Sequence, residues 1–334
     1  MKHLVEQKVA AFISKTQRPQ INVAVWRDGE LYQSSFGCAK REDVDVFEIG
    51  SIGKTFTATL LAILIDKGVV AIEDKIGRYY PKLSVLKDVT FKQLVTHSSG
   101  LPANPIKTIC FSRSSLISNL LKFRKEDITD YLNDIKAPLK PGKFCYSNLG
   151  MALLGNTLAE CLQMSYESAV QSYLLAPLGM TQTHVNETHY EPERVALGHS
   201  ASGKVVPHFK WQGMEPAGVW RSTTSDMMQF LKAHLGCSGE QWQALLKTTT
   251  CPVFNTSELS HMGFAWVLEQ RDGLGNIAWH NGGTFGQHSV VMLCKEQNMG
   301  IVILSNKSPR FWHGFFSSYS LEYLAASILK SLAK

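Results

Sequence analysis

The segment 48–57, EIGSIGKTFT, contains a serine and a lysine three residues apart. At the start of a helix, positions i and i+3 share one face, so the Lys54 amine can reach the Ser51 hydroxyl. Burial lowers the pKa of an amine and lets it accept the hydroxyl proton, which makes the serine a nucleophile for acyl transfer. The amide at a helix N-terminus can also stabilise a developing oxyanion. The spacing therefore predicts a covalent acyl-transfer site.

The same segment has a second interpretation, because Gly53, Lys54 and Thr55 match the end of a phosphate-binding loop. That loop requires a glycine five positions before Gly53, where the backbone approaches phosphate. Glu48 occupies this position, and its carboxylate opposes phosphate binding. S-x-x-K alone is also weak evidence, since three further copies begin at Ser84, Ser327 and Ser331. Only the copy at 51–54 opens a long apolar helical pattern, which favours the acyl-transfer interpretation.

Two other motifs supply further groups that acyl transfer needs. PGKFCYSNLG places Tyr146 and Asn148 two positions apart, and an extended segment points both side chains to the same side. WHNGGTFGQHS places His280 before Gly282 and Gly283 in a predicted strand. Small residues there let a substrate backbone lie against the strand edge. The Gly283 amide can act as a second oxyanion donor.

Taken together and in this order, the S-x-x-K, Y-x-N and H-x-G motifs resemble those of the serine β-lactamase and penicillin-binding-protein superfamily. The likeness is to the branch of class C β-lactamases, D-aminopeptidases and esterases, and it extends from about residue 20 to 310. Other stretches that carry it are FEIGSIGKTFTA, LVTHSSGLP, KPGKFCYSNLGMALLG, LLAPLGMTQT and AGVWRSTTSDMMQFL. The resemblance implies an α/β (α+β) fold of the β-lactamase/DD-peptidase type, with an antiparallel sheet, flanking terminal helices and an inserted helical domain.

The resemblance also implies a role for each site residue. Ser51 would form an acyl-enzyme, and Lys54 and Tyr146 would share the general acid–base work. The Asn148 amide would bind the substrate, and the backbone amides of Ser51 and Gly283 would form the oxyanion hole. No metal or cofactor is expected. The candidate residues are Ser51, Lys54 and Tyr146 for catalysis and Asn148, His280, Gly282 and Gly283 for substrate binding.

One departure from the family pattern affects the expected substrate. The β-lactamases usually carry K-T-G where this chain has His280, Asn281 and Gly282. With a reference pKa of about 6.5, histidine is only partly protonated near neutral pH and is a weaker anchor for a substrate carboxylate. We therefore expect a D-amino-acid peptidase or esterase acting on small amides or esters, with at most weak β-lactamase activity. Two alternatives remain: an acyltransferase using the same acyl-enzyme, and a non-catalytic binding or scaffold protein of the same fold.

Other polar residues have a structural interpretation. For Arg221 we favour a surface ion pair over a substrate contact, and for His97 a hydrogen-bonded core position. Four histidines lie close together in one polar segment, but their spacing is not that of a zinc-binding helix, so we predict a solvated loop: His184, His189, His199 and His208. The cysteines are odd in number and contain no C-x-x-C pair, which predicts reduced, mostly buried thiols. The seven are Cys38, Cys110, Cys145, Cys161, Cys237, Cys251 and Cys294. For the aromatic run RFWHGFFSSY, residues 310–319, core positions are favoured.

The elements that must position the site follow from periodicity. INVAVWRDGELYQSSFG predicts a hairpin that turns at Asp28 and Gly29. The apolar pattern of residues 51–68 predicts a buried helix. The residues after about 260 predict strands with turns at 272–273 and 298–300, and the last segment, SLEYLAASILKSLAK, predicts an amphipathic helix. We expect a discontinuous α/β sheet domain from 1–70 and 250–334, a mainly helical domain from 71–249, and the active site at their junction.

Composition limits the class of protein further. The chain has 334 residues, 44% hydrophobic and 19% charged, typical of a globular protein with one large or two packed domains. A net charge of +6 without a basic run gives no support for a nucleic-acid partner. The first 20 residues lack an apolar run long enough for a signal peptide or membrane span, so a cytoplasmic location is the default. The expected partner is a small-molecule or short-peptide substrate, with no membrane contact and an undetermined oligomeric state.

Overall fold

The computed structural model describes residues 1–105, 115, 118–119, 122–309 and 316–333. Its centre is an eight-stranded antiparallel sheet built from strands of both ends of the chain. The strands are β1 Ile21–Arg27, β2 Glu30–Phe36, β7 Phe254–Asn255, β8 Ser260–Met262, β9 Val267–Arg271, β10 Gly275–Gly283, β11 His288–Cys294 and β12 Met299–Ser305. They lie in the order β2-β1-β12-β11-β10-β9-β8-β7. Two short ladders lie outside it, β3 Phe47–Glu48 with β6 Arg221–Ser222, and β4 Gly198–His199 with β5 Val205–Val206.

The turns of the sheet agree with the sequence at one end and differ at the other. β1 and β2 form the predicted hairpin, and both turn residues, Asp28 and Gly29, have positive φ of 48° and 95°. Such a pair suits the tight turn that matches strand twist. The turn predicted at 298–300 lies earlier, because Lys295–Gln297 form a helical turn and Asn298 takes φ 45°. β12 therefore begins at Met299, and its pairing with β1 joins the two ends of the chain.

Helices cover both faces of the sheet. They are α1 Lys2–Thr16, α2 Gly53–Asp66, α3 Phe91–Val95, α4 Lys125–Asn133, α5 Asn148–Cys161, α6 Tyr166–Val170, α7 Thr224–His234, α8 Glu240–Thr249 and α9 Leu321–Leu332. On one face, α1 and α9 bury Val9 and Ile328 against Ile301 of β12. On the other face, the helices that lie between β2 and β7 in the chain, including α2, enclose a larger core. The amphipathic pattern of the last segment thus forms a helix that covers the sheet.

Helix α2 positions the S-x-x-K motif. Its residues from Gly53 to Leu64 are all buried, as the continuous apolar pattern predicts. A single 3₁₀ turn, Gly50–Ile52, precedes it and contains Ser51, which is half-buried. The serine therefore lies at the entrance of a buried helix and remains accessible from outside.

Two expectations from the sequence are wrong. The segment 183–211 around the four histidines, expected to be a solvated loop, packs on the protein, because Tyr190, Val195 and Trp211 are buried and Arg194 forms an ion pair with Asp45 at 2.8 Å. Most of the described cysteines are not buried: the exposed ones are Cys38, Cys145, Cys237 and Cys251. Cys110 and residues 310–315 of the aromatic run lie outside the described residues. Among the helices of the described ranges, none combines the length and apolarity that crossing a bilayer requires.

Candidate active site

The Lys54 amine lies against the Ser51 hydroxyl at the start of α2. Lys54 is fully buried, and its Nζ lies 3.0 Å from Ser51 Oγ. The same Nζ donates to the backbone carbonyl of Ala217, which sequence reasoning missed. Burial lowers the pKa of Lys54 well below its ordinary value, because the ammonium form loses its hydration. The neutral amine that results can accept the Ser51 proton.

Tyr146 completes the contact around Ser51. Its hydroxyl lies beside the Ser51 side chain, and Lys54 Nζ lies 4.9 Å from the centroid of its ring. Burial raises the pKa of Tyr146 above its ordinary value, since the phenolate would be poorly solvated. At neutral pH Tyr146 is therefore a phenol, and Lys54 is the better proton acceptor of the two. The structure brings Ser51, Lys54 and Tyr146 together, as the motif spacing predicts.

Asn148 is held differently from the sequence expectation. The extended segment ends at Ser147, whose Oγ accepts from the Gly150 amide at 2.9 Å and caps α5. Asn148 is thus the first residue of a helix, and the argument from i and i+2 in an extended segment is wrong. Its Nδ2 donates to Asn104 Oδ1 at 2.7 Å. A serine immediately before an apolar helical pattern is an N-cap signal that could have shown this.

The strand that carries the H-x-G motif offers an open edge. β10 pairs with β9 only from Gly275 to Trp279, and with β11 from Ala278 to Gly283. Within the described ranges, residues 280–283 therefore have no strand partner on the β9 side. An unpaired edge of this kind can hydrogen-bond an extended substrate backbone.

Two glycines let the Ser51 turn press against β10. A Cβ at Gly282 would lie 1.9 Å from the Ile49 carbonyl oxygen, so no side chain fits there. Gly50 has φ of 51°, which favours glycine, and a Cβ on it would lie 2.8 Å from the Gly283 nitrogen. The backbone just before Ser51 and the Gly283 amide are consequently neighbours, which is the proximity that a two-donor oxyanion hole requires.

His280 lies inside the cleft as a neutral ring. It is 3% exposed, and its Nδ1 donates to the Asn281 carbonyl at 2.6 Å. Burial lowers the pKa of His280 to about 3. The expectation that this ring is partly protonated near neutral pH is therefore wrong. His280 is an even weaker anchor for a carboxylate than its reference pKa implies.

Arg221 is buried, which overturns the expected surface position. Its side chain is 1% exposed, and its NH2 lies 3.1 Å from Glu187 Oε2. The guanidinium also donates to the backbone carbonyls of Val185 and Phe209. A cation committed to these partners cannot bind a substrate carboxylate in this arrangement.

Glu48, just before the Ser51 turn, binds the segments that contain Thr284 and Phe209, and sequence reasoning missed this role. The residue is 5% exposed; its Oε2 accepts from Thr284 Oγ1 at 2.6 Å and its Oε1 from the Phe209 amide at 2.7 Å. Burial opposes ionisation, but the His208 ring, whose Nδ1 lies 3.4 Å from Glu48 Oε1, and the charge of Arg221 outweigh it, so the pKa of Glu48 is lowered. An acidic residue inside the apolar strand pattern VFEI was the available signal.

Glu167, His184 and His189 form a second titratable cluster away from Ser51, with their potential ligand atoms within 4.8 Å of one another. The two imidazoles are stacked, with centroids 4.3 Å apart and planes at 17°. Both ring nitrogens of His184 lie 3.2 Å from other partners, Gln171 Nε2 and the Thr181 carbonyl. In this arrangement the two imidazoles form a stacked pair, and the His184 nitrogens are directed to Gln171 and Thr181.

Comparison with known proteins identifies the family. The model of the family described as Beta-lactamase matches residues 2–315. The chain belongs to the Beta-lactamase family. Penicillin-binding protein 4* of Bacillus subtilis (strain 168) is 27% identical over 303 residues, which span 83% of this chain and 65% of that protein. A β-lactamase of Providencia stuartii is 26% identical over 266 residues, 75% of this chain and 65% of that protein. The chain thus spans slightly less than two thirds of the length of these relatives.

Solved structures of the Beta-lactamase family confirm the predicted fold class. A class C β-lactamase superposes with a TM-score of 0.83 at 22% identity, covering 99% of this chain and 97% of that one. A β-lactamase/D-alanine carboxypeptidase from Pseudomonas syringae gives a TM-score of 0.82 at 22% identity, with 98% of both chains covered. The antiparallel sheet with helices on both faces is therefore the class C β-lactamase fold, and family membership makes the chain a relative of serine hydrolases.

Proposed function

We propose that this chain is a serine hydrolase that forms an acyl-enzyme on Ser51 from small esters or amides. The observation that carries the proposal is the double contact at the Ser51 hydroxyl. The buried Lys54 amine lies 3.0 Å from Ser51 Oγ, and the Tyr146 hydroxyl lies beside the same side chain. A nucleophile with a proton acceptor and a second proton-transfer group in contact is the arrangement that covalent acyl transfer uses.

The proposed reaction has two halves. Ser51 Oγ attacks the substrate carbonyl carbon while its proton moves to Lys54, and the Ser51 and Gly283 amides stabilise the oxyanion. Collapse of this intermediate breaks the bond to the leaving group, which receives the proton through the Tyr146 phenol. Water then attacks the acyl-enzyme by the same route, releases the acid and restores the Ser51 hydroxyl. Each oxyanion donor is typically worth about 10²–10³ in rate.

The basic side chains around the cleft favour substrates without a carboxylate beside the scissile bond. Lys54 is directed to Ser51 and Ala217, and Arg221 is paired with Glu187. The pKa of His280 is lowered to about 3 by burial, so this ring is uncharged at neutral pH. None of these three groups is a free cation for a carboxylate. Neutral esters, and amides of small D-amino acids, therefore suit the site better than β-lactams.

Covalent labelling tests the proposal. The protein is treated in parallel with a fluorophosphonate probe and with a β-lactam, and the adduct is located by intact and peptide mass. We expect one fluorophosphonate adduct, on Ser51, absent from S51A. With the β-lactam we expect slow acylation of the same residue. No adduct with either reagent on folded protein would favour the non-catalytic binding or scaffold alternative.

Paired substrates test the preference for neutral esters. A phenyl ester and its meta-carboxyphenyl analogue carry the same acyl group and differ by one anionic group in the leaving group. We expect a higher kcat/KM for the neutral ester, and equal values would contradict the argument from His280 and Arg221. Adding an alcohol or amine nucleophile to the same assay separates hydrolysis from acyl transfer, because only an acyltransferase forms the transfer product in preference to the acid.

A further inference from the structure

His97 holds the backbone on both sides of Tyr146. The His97 carbonyl accepts a hydrogen bond from the Cys145 amide at 2.7 Å. The His97 ring nitrogen Nδ1 accepts another from the Ser147 amide at 3.2 Å. One residue therefore binds the backbone amides of both sequence neighbours of Tyr146, from a position about fifty residues away in sequence.

The imidazole also packs on the phenol itself. The ring centroids of His97 and Tyr146 are 4.5 Å apart, with an interplanar angle of 36°. On the exposed side, the Phe144 ring meets the imidazole edge to face at 6.1 Å. His97 is fully buried, so this contact excludes water from one side of the Tyr146 ring. The phenol consequently has little freedom to leave Ser51.

The backbone and the protonation state of His97 are unusual for a core histidine. Its φ of 57° lies in the left-handed region, which costs a non-glycine residue about 1 kcal/mol or more and persists where surrounding contacts impose it. Since Nδ1 accepts a hydrogen bond, the neutral ring carries its proton on Nε2, and that buried atom has no hydrogen-bond partner. An unsatisfied buried donor costs about 1–3 kcal/mol. The expectation of a fully hydrogen-bonded core histidine is therefore wrong.

We infer that His97 is a positioning residue that holds the Tyr146 phenol against the Ser51 hydroxyl, an inference that rests on the proposed function. Its contact with the site is made through the Tyr146 ring. Burial lowers the pKa of His97 well below its ordinary value, so the ring stays neutral and Nδ1 stays an acceptor. A displacement of the phenol by about 1 Å is enough to cost about 10² in rate.

The variant H97N separates positioning from folding. Asparagine tolerates a positive φ, and its Oδ1 can still accept from the Ser147 amide, but it removes the ring that packs on Tyr146. The matched control is H234N, since His234 is also buried and packed on aromatic rings but contacts the distant core residues Phe230 and Trp266. We expect H97N to lower kcat for a neutral ester about 10²-fold with KM within about threefold of wild type. H234N should lower the melting temperature and leave kcat within about threefold of wild type.

A double-mutant cycle with Y146F tests whether His97 acts through Tyr146. We expect H97N to slow fluorophosphonate labelling of Ser51 in the wild-type background and to cause no further loss in the Y146F background. Wild-type kcat in H97N, or an equal loss in both backgrounds, would overturn the inference while leaving the Ser51 mechanism in place. Absence of a Ser51 adduct in the wild type would instead remove the proposed function, and the inference with it. Should H97N fail to fold, H97Q takes its place in the cycle.

Discussion

The Glu48 carboxylate and the Thr284 hydroxyl, 236 residues apart in sequence, are joined by a hydrogen bond of 2.6 Å. Glu48 precedes the turn that carries Ser51, and Thr284 follows Gly283 directly. The Glu48 amide also donates to Gln287 Oε1 at 3.0 Å, so both the backbone and the side chain of Glu48 bind the segment that follows β10. These hydrogen bonds fix the position of the proposed nucleophile, Ser51, relative to the second proposed oxyanion donor, the Gly283 amide.

Removing the Thr284 hydroxyl should impair the oxyanion hole. T284V keeps the side-chain shape but leaves Glu48 Oε2 without its donor, so the Gly283 amide loses a fixed position. We expect kcat to fall about 10- to 100-fold with KM little changed, because a misplaced donor weakens the transition state more than the ground state. Measurement of kcat, KM and the affinity for a boronic acid that mimics the tetrahedral intermediate checks this. T284S retains the hydroxyl and is expected to keep near-wild-type kcat; equal losses in the two variants would contradict the hydrogen-bond explanation.

Replacing Lys54 should separate stability from catalysis. Lys54 is fully buried, and methionine matches its length without an amine that must be desolvated. We therefore expect K54M to fold with a melting temperature at or above that of wild type, while the rate of Ser51 labelling by a fluorophosphonate falls at least about 10³-fold. K204M, at an exposed lysine, serves as the control and should leave both quantities unchanged. Labelling of K54M at the wild-type rate would rule out Lys54 as the proton acceptor.

Removing the buried guanidinium of Arg221 should destabilise the fold. R221M removes the cation that lies 3.8 Å from the buried Glu48 carboxylate and leaves Glu187 paired with Lys210 alone. It also removes the donor to the backbone carbonyls of Val185 and Phe209. Breaking a buried pair in this way typically costs about 3–5 kcal/mol. Urea unfolding followed by circular dichroism measures the change. R41M, which removes one partner of the exposed pair with Asp43, should leave the unfolding midpoint unchanged.

The stability of the protein should depend on the ionisation of Glu322, on the α9 side of the sheet. Burial opposes ionisation, but the charge of His288 and its hydrogen bond at 3.0 Å outweigh it and lower the pKa of Glu322 to about 2. A carboxyl whose folded pKa lies below its unfolded value stabilises the protein above the unfolded pKa and loses this stabilisation as pH falls. For a shift from 4.5 to about 2, the contribution at neutral pH is about 3 kcal/mol.

The variant E322Q tests this linkage. Between pH about 4.5 and 2, the free energy of unfolding of wild type should fall by the Glu322 contribution, and the corresponding fall in E322Q should be smaller by about that amount. E258Q, at an exposed glutamate, is the control and should follow wild type. Parallel pH curves for wild type and E322Q would show that Glu322 does not ionise with a lowered pKa.

Much of the site could be predicted from sequence because its parts are local. Ser51 and Lys54 are three residues apart in one helical start, so helix geometry alone brings their side chains together. The Asp28–Gly29 turn and the alternation around it likewise determine a hairpin without reference to the rest of the chain. The motif order then indicated the family, which the family match confirms.

Tertiary structure decided the features that depend on burial or on distant contacts. The Ala217 carbonyl at Lys54, the His97 ring on Tyr146 and the Thr284 hydroxyl at Glu48 join segments that no local periodicity connects. The neutral state of His280 and the buried pair of Arg221 depend on how much water the packed core excludes. The free energy of ionising a side chain is set by the atoms around it, and sequence position alone does not specify those atoms.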